Sequence, residues 1–319
     1  MSIPTRGGYP VLKDYVPLLY SKNLLEAEHD NLIFHNFVNR NYEGQLKEKG
    51  DKVIIRKEPD LKTFQYVKGT PVQYPEYETE SEEFTVNRAR IVPFTINKID
   101  QMMSDIPSWT ERWAKLGGIA LAEYKEKEFF QDVPFKCAVE NQGNAAGLHS
   151  GLYNLGSATT PVKVVASGAS GANERNAVDI ISEAAACLAE QPGGMADYSY
   201  IVIPPIFAQR IQTSELKQAS LSGDSVSTLR KGLKAIGNLC GFDIYQSNLL
   251  DMRVAAGGTT KYFTCLFGDK SAITYCDQIS LTEVKPDPYV FAQHNHASVS
   301  IYDWKAIKPH HFGTLAVTF

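Results

Sequence analysis

The sequence predicts an α+β chain: a β hairpin, one long helix, a mixed α/β block and a closing set of strands. Three observations carry this. Residues Phe84 to Arg90 alternate with period two, as a half-buried strand does. Apolar residues recur at three- and four-residue spacing after Pro107, as on a helix face. From Tyr262 onward the chain is strand-like, broken only by turn residues. With 319 residues, 43% of them hydrophobic and 21% charged, it has ample material for a core. That composition excludes a disordered, collagen-like or disulfide-stapled protein.

The first 48 residues are punctuated by Pro4, Gly7, Gly8, Pro10 and Pro17, which predicts a loose arm. A helix is expected near Asn23 to Val38, with Leu24, Ala27, Ile33, Phe34 and Phe37 as its apolar members. Lys52 to Arg56, behind Gly50-Asp51, pairs naturally with Phe84 to Arg90. Between them lies a long polar stretch with Gly69, Pro71, Pro75 and several tyrosines. A loop of that length is uncommon without a task, so a projecting hairpin is expected. Ser108 and Glu111 fit a capping box that opens a helix. Trp109, Trp113, Leu116, Ala120 and Tyr124 carry it to about Asp132. Some 24 residues make a rod of about 36 Å. Gly117-Gly118 in its middle predicts a bend or a close backbone approach.

From Cys137 small residues dominate, and a second helix is expected from an Asn173 cap through Ala177, Ile181, Ala184 and Leu188. Tyr200 to Ile203 reads as a buried strand, and Pro205 as the first residue of a helix to about Lys217. Phe242 to Tyr245 is another strand, turns are expected at Gly268-Asp269 and Pro286-Asp287-Pro288, and Thr314 to Phe319 closes the chain. No internal repeat is visible.

The balance of 32 basic against 36 acidic residues gives a net charge of -4, with no bulk attraction to nucleic acid. No stretch approaches the length and apolarity of a membrane span, and the start lacks a signal-type apolar core, so cytosolic synthesis is expected. Cys137, Cys187, Cys240, Cys265 and Cys276 contain no C-x-x-C and are expected as reduced, buried thiols. The sequence holds no G-x-S-x-G, no phosphate-loop lysine motif, no H-E-x-x-H and no G-x-G-x-x-G. We therefore expect no catalytic residue, no cofactor and no metal. Gly168-Ala169-Ser170-Gly171 could cradle a phosphate ahead of a helix, but without a lysine a mobile loop is the better expectation. His294 and His296 share a strand face near His310-His311, yet two imidazoles fall short of a stable metal site.

Between Pro71 and Glu83 stand five acids, Glu76, Glu78, Glu80, Glu82 and Glu83, and no base. Phe84 to Lys98 then carries Arg88, Arg90 and Lys98 with no acid. Either both are solvated, or each meets opposite charge on a neighbouring subunit, which would set register more than affinity.

Taken in order, these parts resemble a tailed-phage major capsid protein of the Hong Kong 97 type. The likeness is most specific in the last third. Gly241-Phe242-Asp243-Ile244-Tyr245-Gln246-Ser247-Asn248 resembles the family's glycine-led strand ending in Ser/Thr-Asn. Phe267-Gly268-Asp269-Lys270-Ser271-Ala272-Ile273 resembles its F-G-D-x-x-A-I turn, followed at similar spacing by Glu283, Pro286 and Lys308-Pro309. One departure is Asp303, where many relatives have glycine; aspartate tolerates left-handed backbone, so a turn is expected to survive there.

The resemblance implies an N-terminal arm (1–48), an extended hairpin or E-loop (49–96) and a peripheral domain with a spine helix (97–136). An axial α/β domain (137–265) and returning peripheral strands with a C-terminal strand (266–319) would follow. It implies a virion protein, made in the bacterial host cytoplasm, that assembles with itself as hexamers and pentamers around double-stranded DNA. Portal, a separate scaffolding protein and optionally a decoration protein would be its further partners, with no membrane. The hairpin, through Tyr66, Tyr74, Tyr77 and the five glutamates, would lie on a neighbour's spine helix, where Arg112, Lys115 and Lys125 are expected as exposed bases. Arg6, Lys13, Lys22 and Arg40 would face packaged DNA. The alternatives are a nanocompartment shell of the same fold and, from another class, an α/β small-molecule enzyme without a recognised motif.

Overall fold

The computed structural model describes residues 32–41, 52–56, 61, 63–65, 68–69, 71, 74–77, 81–103, 109–195, 199–214, 238–256 and 258–319. The start of the first helix, the Ser108 cap, Tyr66, Glu78, Glu80, Arg6, Lys13 and Lys22 lie outside them.

Two strands, β1 (Lys52–Arg56) and β2 (Ser81–Thr85), pair antiparallel, with Ile54 opposite Glu83 and Ile55 opposite Glu82. The alternating run expected to Arg90 breaks at Val86-Asn87, because the next strand, β3 (Arg88–Asn97), joins a different sheet. That sheet is three-stranded and antiparallel, with β12 (Gln293–Ala306) between β11 (Ile273–Pro286) and β3. Asp303 lies inside β12 opposite Cys276, so no turn is needed there, and its carboxylate has a structural use described below.

A short helix α1 (Lys98–Met103) leads to the long helix α2, which occupies Trp109–Asp132 as the spacing predicts. Its packing is not the one the aromatic spacing suggests. The buried face consists of Ala114, Gly117, Gly118, Leu121 and Ala122, then the charged pair Lys125 and Glu126, then Phe129 and Phe130. Small residues and two glycines let the helix sit close against the sheet, where Ala114 and Leu121 meet Val92 and Phe94.

The third sheet holds β4 (Val162–Val165), β5 (Glu174–Asn176), β6 (Ser199–Ile203), β7 (Asn238–Leu239), β8 (Phe242–Gln246), β9 (Met252–Val254), β10 (Lys261–Asp269) and β13 (Phe312–Thr318). Its order is β5-β4-β13-β10-β6-β8-β7, with β9 also on β10. Strand β6 is buried throughout, as its continuous apolar run predicts. Helix α3 (Ala177–Ala189) buries Ile180, Ile181, Ala184 and Leu188. Its cap is Asn176, three residues after the expected one, because residues 174–176 are drawn into the sheet beside β4. Helix α4 opens at Pro205 and runs to Thr213.

The end of the arm is core. Phe34, in a short 3-10 turn, stacks on Phe129 at 4.7 Å, and Phe37 stacks on Tyr200 at 4.2 Å. Asn39 then bridges to Thr274. Residues 32–41 thus pin the long helix, the large sheet and the start of β11 together, where sequence suggested a helix end on a loose arm.

The family-like motifs have physical causes. Cys240 and Gly241, at φ 52° and 85°, make the two-residue turn between β7 and β8. Gly268 ends no strand; it faces Phe312 across β10 and β13, and a Cβ there would come within 2.4 Å of the Phe312 Cβ. The turn falls two residues later than expected, at Lys270-Ser271, and buried Asp269 accepts a hydrogen bond from Ser199 Oγ at 2.7 Å.

Candidate assembly surfaces

Helix α2 turns a stripe of large apolar side chains outward. Trp113, Leu116 and Tyr124 are 37%, 63% and 44% exposed, with Ala120 between them on the same stripe. They are held rather than loose: Trp113 packs edge-on against Phe94 at 5.6 Å, and the Arg90 guanidinium lies 4.0 Å over the Tyr124 ring. Exposed Arg112 and Lys115 flank the stripe. Aromatic area, half-open cations and rigid support are the composition of a protein contact surface.

Lys125 does not belong to it. Expected as an exposed base, it is fully buried: its ammonium donates to Asp277 Oδ2 at 3.0 Å and Ser300 Oγ at 2.7 Å and sits 4.5 Å from the Tyr302 ring centre. Adjacent Glu126 is also buried, and desolvation holds its carboxyl above the usual range. It accepts from Ser247 Oγ at 2.6 Å and from the Ile33 backbone N–H at 3.3 Å. The Ser of the expected Ser-Asn strand ending is therefore a tie between the long helix and the large sheet.

The hairpin exposes aromatic and acidic side chains. Tyr74 is 88% exposed, and Glu76, Glu83, Leu61 and Phe64 are also exposed, while Tyr77 is at the edge of exposure. Glu82 is half-buried and paired within the chain, its carboxylate 3.1 Å from Lys305 Nζ. Sequence reasoning missed one further surface, the turn between β11 and β12. There Tyr289 and Phe291 are 95% and 86% exposed, and Asp287 stiffens the turn by accepting from the Tyr289 N–H at 2.8 Å. Its signal was the consecutive Tyr-Val-Phe after two prolines.

Arg40 lines an open cleft of about 540 Å³ with His35, Lys270 and Ser271. The Gly168–Gly171 stretch cradles no outside anion: the Ser170 and Gly171 N–H groups point at Glu174 Oε2, 3.4 and 3.3 Å away, and Lys163 lowers that carboxyl's pKa. His296 is buried, stacked on Phe94 at 4.9 Å, with its pKa pushed down to about 4 by burial. Among the described residues no group of three or more His, Cys, Asp or Glu side chains could hold a metal ion. One Ser–Asp–His grouping exists, but the carboxylate is in the middle. Ser199 Oγ is committed to Asp269 Oδ1, and His311 Nδ1 lies 3.1 Å from Oδ2, so the imidazole does not activate the hydroxyl. Four thiols are buried as expected; Cys240 is exposed. Among the described residues no helix is long and apolar enough to cross a membrane.

No family model matches the chain, and no curated protein matches it. Solved structures do. A chain from Mycobacterium phage Che8 is 22% identical, with 89% of this chain and 90% of that one covered at a TM-score of 0.62. A chain of the capsid of Cyanophage P-SCSP1u is 14% identical, covering 85% and 84% at 0.56. One from the satellite phage P4 procapsid is 7% identical, covering 93% and 91% at 0.56. The chain has the fold of these phage chains, two of them from a capsid and a procapsid, and at the level of fold the resemblance drawn from its sequence is borne out.

Proposed function

We propose that this chain is the major capsid protein of a tailed phage, which self-assembles as hexamers and pentamers into a closed shell around double-stranded DNA. The observation that carries it is the match along nearly the whole chain to phage capsid chains, not to one domain of them. The surfaces support the same reading. An aromatic stripe flanked by Arg112 and Lys115, and a hairpin bearing Tyr74, Tyr77 and Glu76, are each exposed in the single subunit. Laid on a neighbour's α2, the hairpin covers both at once. The hairpin is the E-loop, α2 the spine of a peripheral domain with the three-stranded sheet, and the large sheet with α3 and α4 the axial domain. Portal and a separate scaffolding protein complete assembly in the host cytoplasm, and a decoration protein is a further partner where one exists. The shell protein performs no catalysis.

Contact with packaged DNA is sequence-independent and local, since a net charge of -4 gives no bulk attraction. Arg40, beside Lys270, is the described candidate for it. Negative-stain microscopy of the expressed chain tests the proposal. Closed shells, tubes or sheets are the expected products, and cargo of nucleic acid rather than a single enclosed enzyme separates a phage head from a nanocompartment. A soluble monomer that forms no particles across a range of salt and concentration would refute it.

A further inference from the structure

We propose that Asp303 and Lys305 form a rigid seat that fixes the angle at which the β1–β2 hairpin leaves the subunit, and that this angle sets the diameter of the shell. This rests on the assembly reading above and deepens it.

Residues 301, 303 and 305 of β12 alternate onto the face turned away from α2, whose own side takes Ser300, Tyr302 and Trp304. All three meet the hairpin base. Ile301 packs against the small cluster of Ile55, Phe84, Val86, Cys276 and Ile307. Asp303 Oδ2 accepts from the Asn87 N–H at 3.1 Å, at the point where the chain leaves the hairpin, and Oδ1 accepts from Arg88 Nε at 3.1 Å. Arg88 is itself fixed, donating to Glu128 at 2.7 Å and Asp132 at 2.6 Å, with its guanidinium 4.2 Å over Trp304. Two residues along, Lys305 Nζ donates to the Glu83 carbonyl at 2.6 Å and pairs with Glu82 at 3.1 Å.

A hinge would be a few residues with little to hold them. This junction instead has backbone, ion-pair and apolar ties to both the sheet and the long helix. Its stiffness has leverage. By sequence 24 residues, 57 to 80, separate β1 from β2, and half that number spans roughly 40 Å when extended. A tilt of about 10° at the root then moves the tip by roughly 7 Å, the scale of a whole strand spacing. Where the tip lies on a neighbour, that tilt becomes an angle between subunits.

The test is assembly of the full chain as wild type, Asp303→Asn and Lys305→Gln, with particle diameters measured by cryo-electron microscopy and subunit folding by circular dichroism. Lys305 is near the surface, so its variant keeps the fold even where an Asp303 change does not. We expect one diameter class for wild type, and two or more classes, or open sheets, for the folded variants. Hydrogen exchange at the Asn87 amide should run roughly tenfold faster in Asp303→Asn, as for the loss of one hydrogen bond. A single unchanged diameter in both variants overturns the inference. So does a folded Lys305→Gln chain that forms no particle, since the lysine would then belong to the contact itself. Absence of particles from wild type would count against the assembly reading, not against the seat.

Discussion

Asp277→Ala should be among the most damaging single changes in this chain, and Lys125→Met should relieve much of the harm. Lys125 is fully buried, and Asp277 supplies its countercharge. Removing that carboxylate takes the countercharge from a buried ammonium that also meets Ser300 Oγ and the Tyr302 ring, a loss of about 3 to 5 kcal/mol. Lys125→Met keeps the apolar stem and leaves Asp277 with the Tyr275 hydroxyl and Ser300 Oγ, each at 3.3 Å, and partial access to water. That variant should lose about 1 to 2 kcal/mol. The double variant has neither charge and should cost about as much as Lys125→Met alone, giving a coupling energy of about 3 to 5 kcal/mol in magnitude. Urea unfolding of the unassembled subunit, followed by tryptophan fluorescence, measures all four corners of the cycle. A coupling under about 0.5 kcal/mol would show that the pair is solvated in solution and that the buried-charge argument is wrong.

Tyr74→Ala should leave the subunit as stable as wild type yet impair shell formation, since an exposed ring contributes only when a neighbour buries it; sedimentation of assembly reactions checks both. Lysines at Glu76 and Glu78 should weaken assembly most at low salt, and these two are the better choice because Glu82 is already paired with Lys305 inside the chain. The folded His296 pKa of about 4 lies below the usual value near 6.5, so the unfolded chain binds the extra proton between them. Stability should therefore fall by about 2 to 3 kcal/mol as pH drops from 6.5 to 4 and level off below, and His296→Phe should flatten that part of the profile. Gly268→Ala should fail to give soluble subunit or cost about 2 to 4 kcal/mol, because backbone of the facing strand occupies the place of its Cβ.

The ends of α2, the buried strand at 199–203 and both family-like turns were legible because local signals set them: a periodic run, a continuous apolar run, a glycine beside a charged turn. The face that α2 buries was not legible. Hydrophobic spacing says which residues share a side, and nothing about whether the partner is the same chain or the next. Trp113, Leu116 and Tyr124 form the stripe a single-chain reading assigns to the core, while the core side is Ala114, Gly117, Gly118 and Leu121. The glycine pair was the clue, since close approach of a sheet is the reason to place it there. Lys125 and Asp303 were misplaced for a related reason. Each looks like a surface or turn residue until its partner arrives from 152 residues away, as Asp277 does for Lys125, or from 215, as Arg88 does for Asp303.

Lys125 and Glu126 also show how one helix serves the whole subunit. Neighbours in sequence diverge by about 100° around a helix, so two adjacent buried charges must face different partners. Lys125 faces the three-stranded sheet through Asp277 and Ser300, and Glu126 faces the large sheet and the arm through Ser247 and Ile33. Both ties are buried, where an unmatched charge is costly, so sliding or rotating the helix against either sheet strands one of them. The helix is thereby locked as a beam between the two sheets. On the assembly proposal, its outer stripe can then receive a neighbour's hairpin without the subunit giving way, and the stiff helix and the seated hairpin root carry the load together.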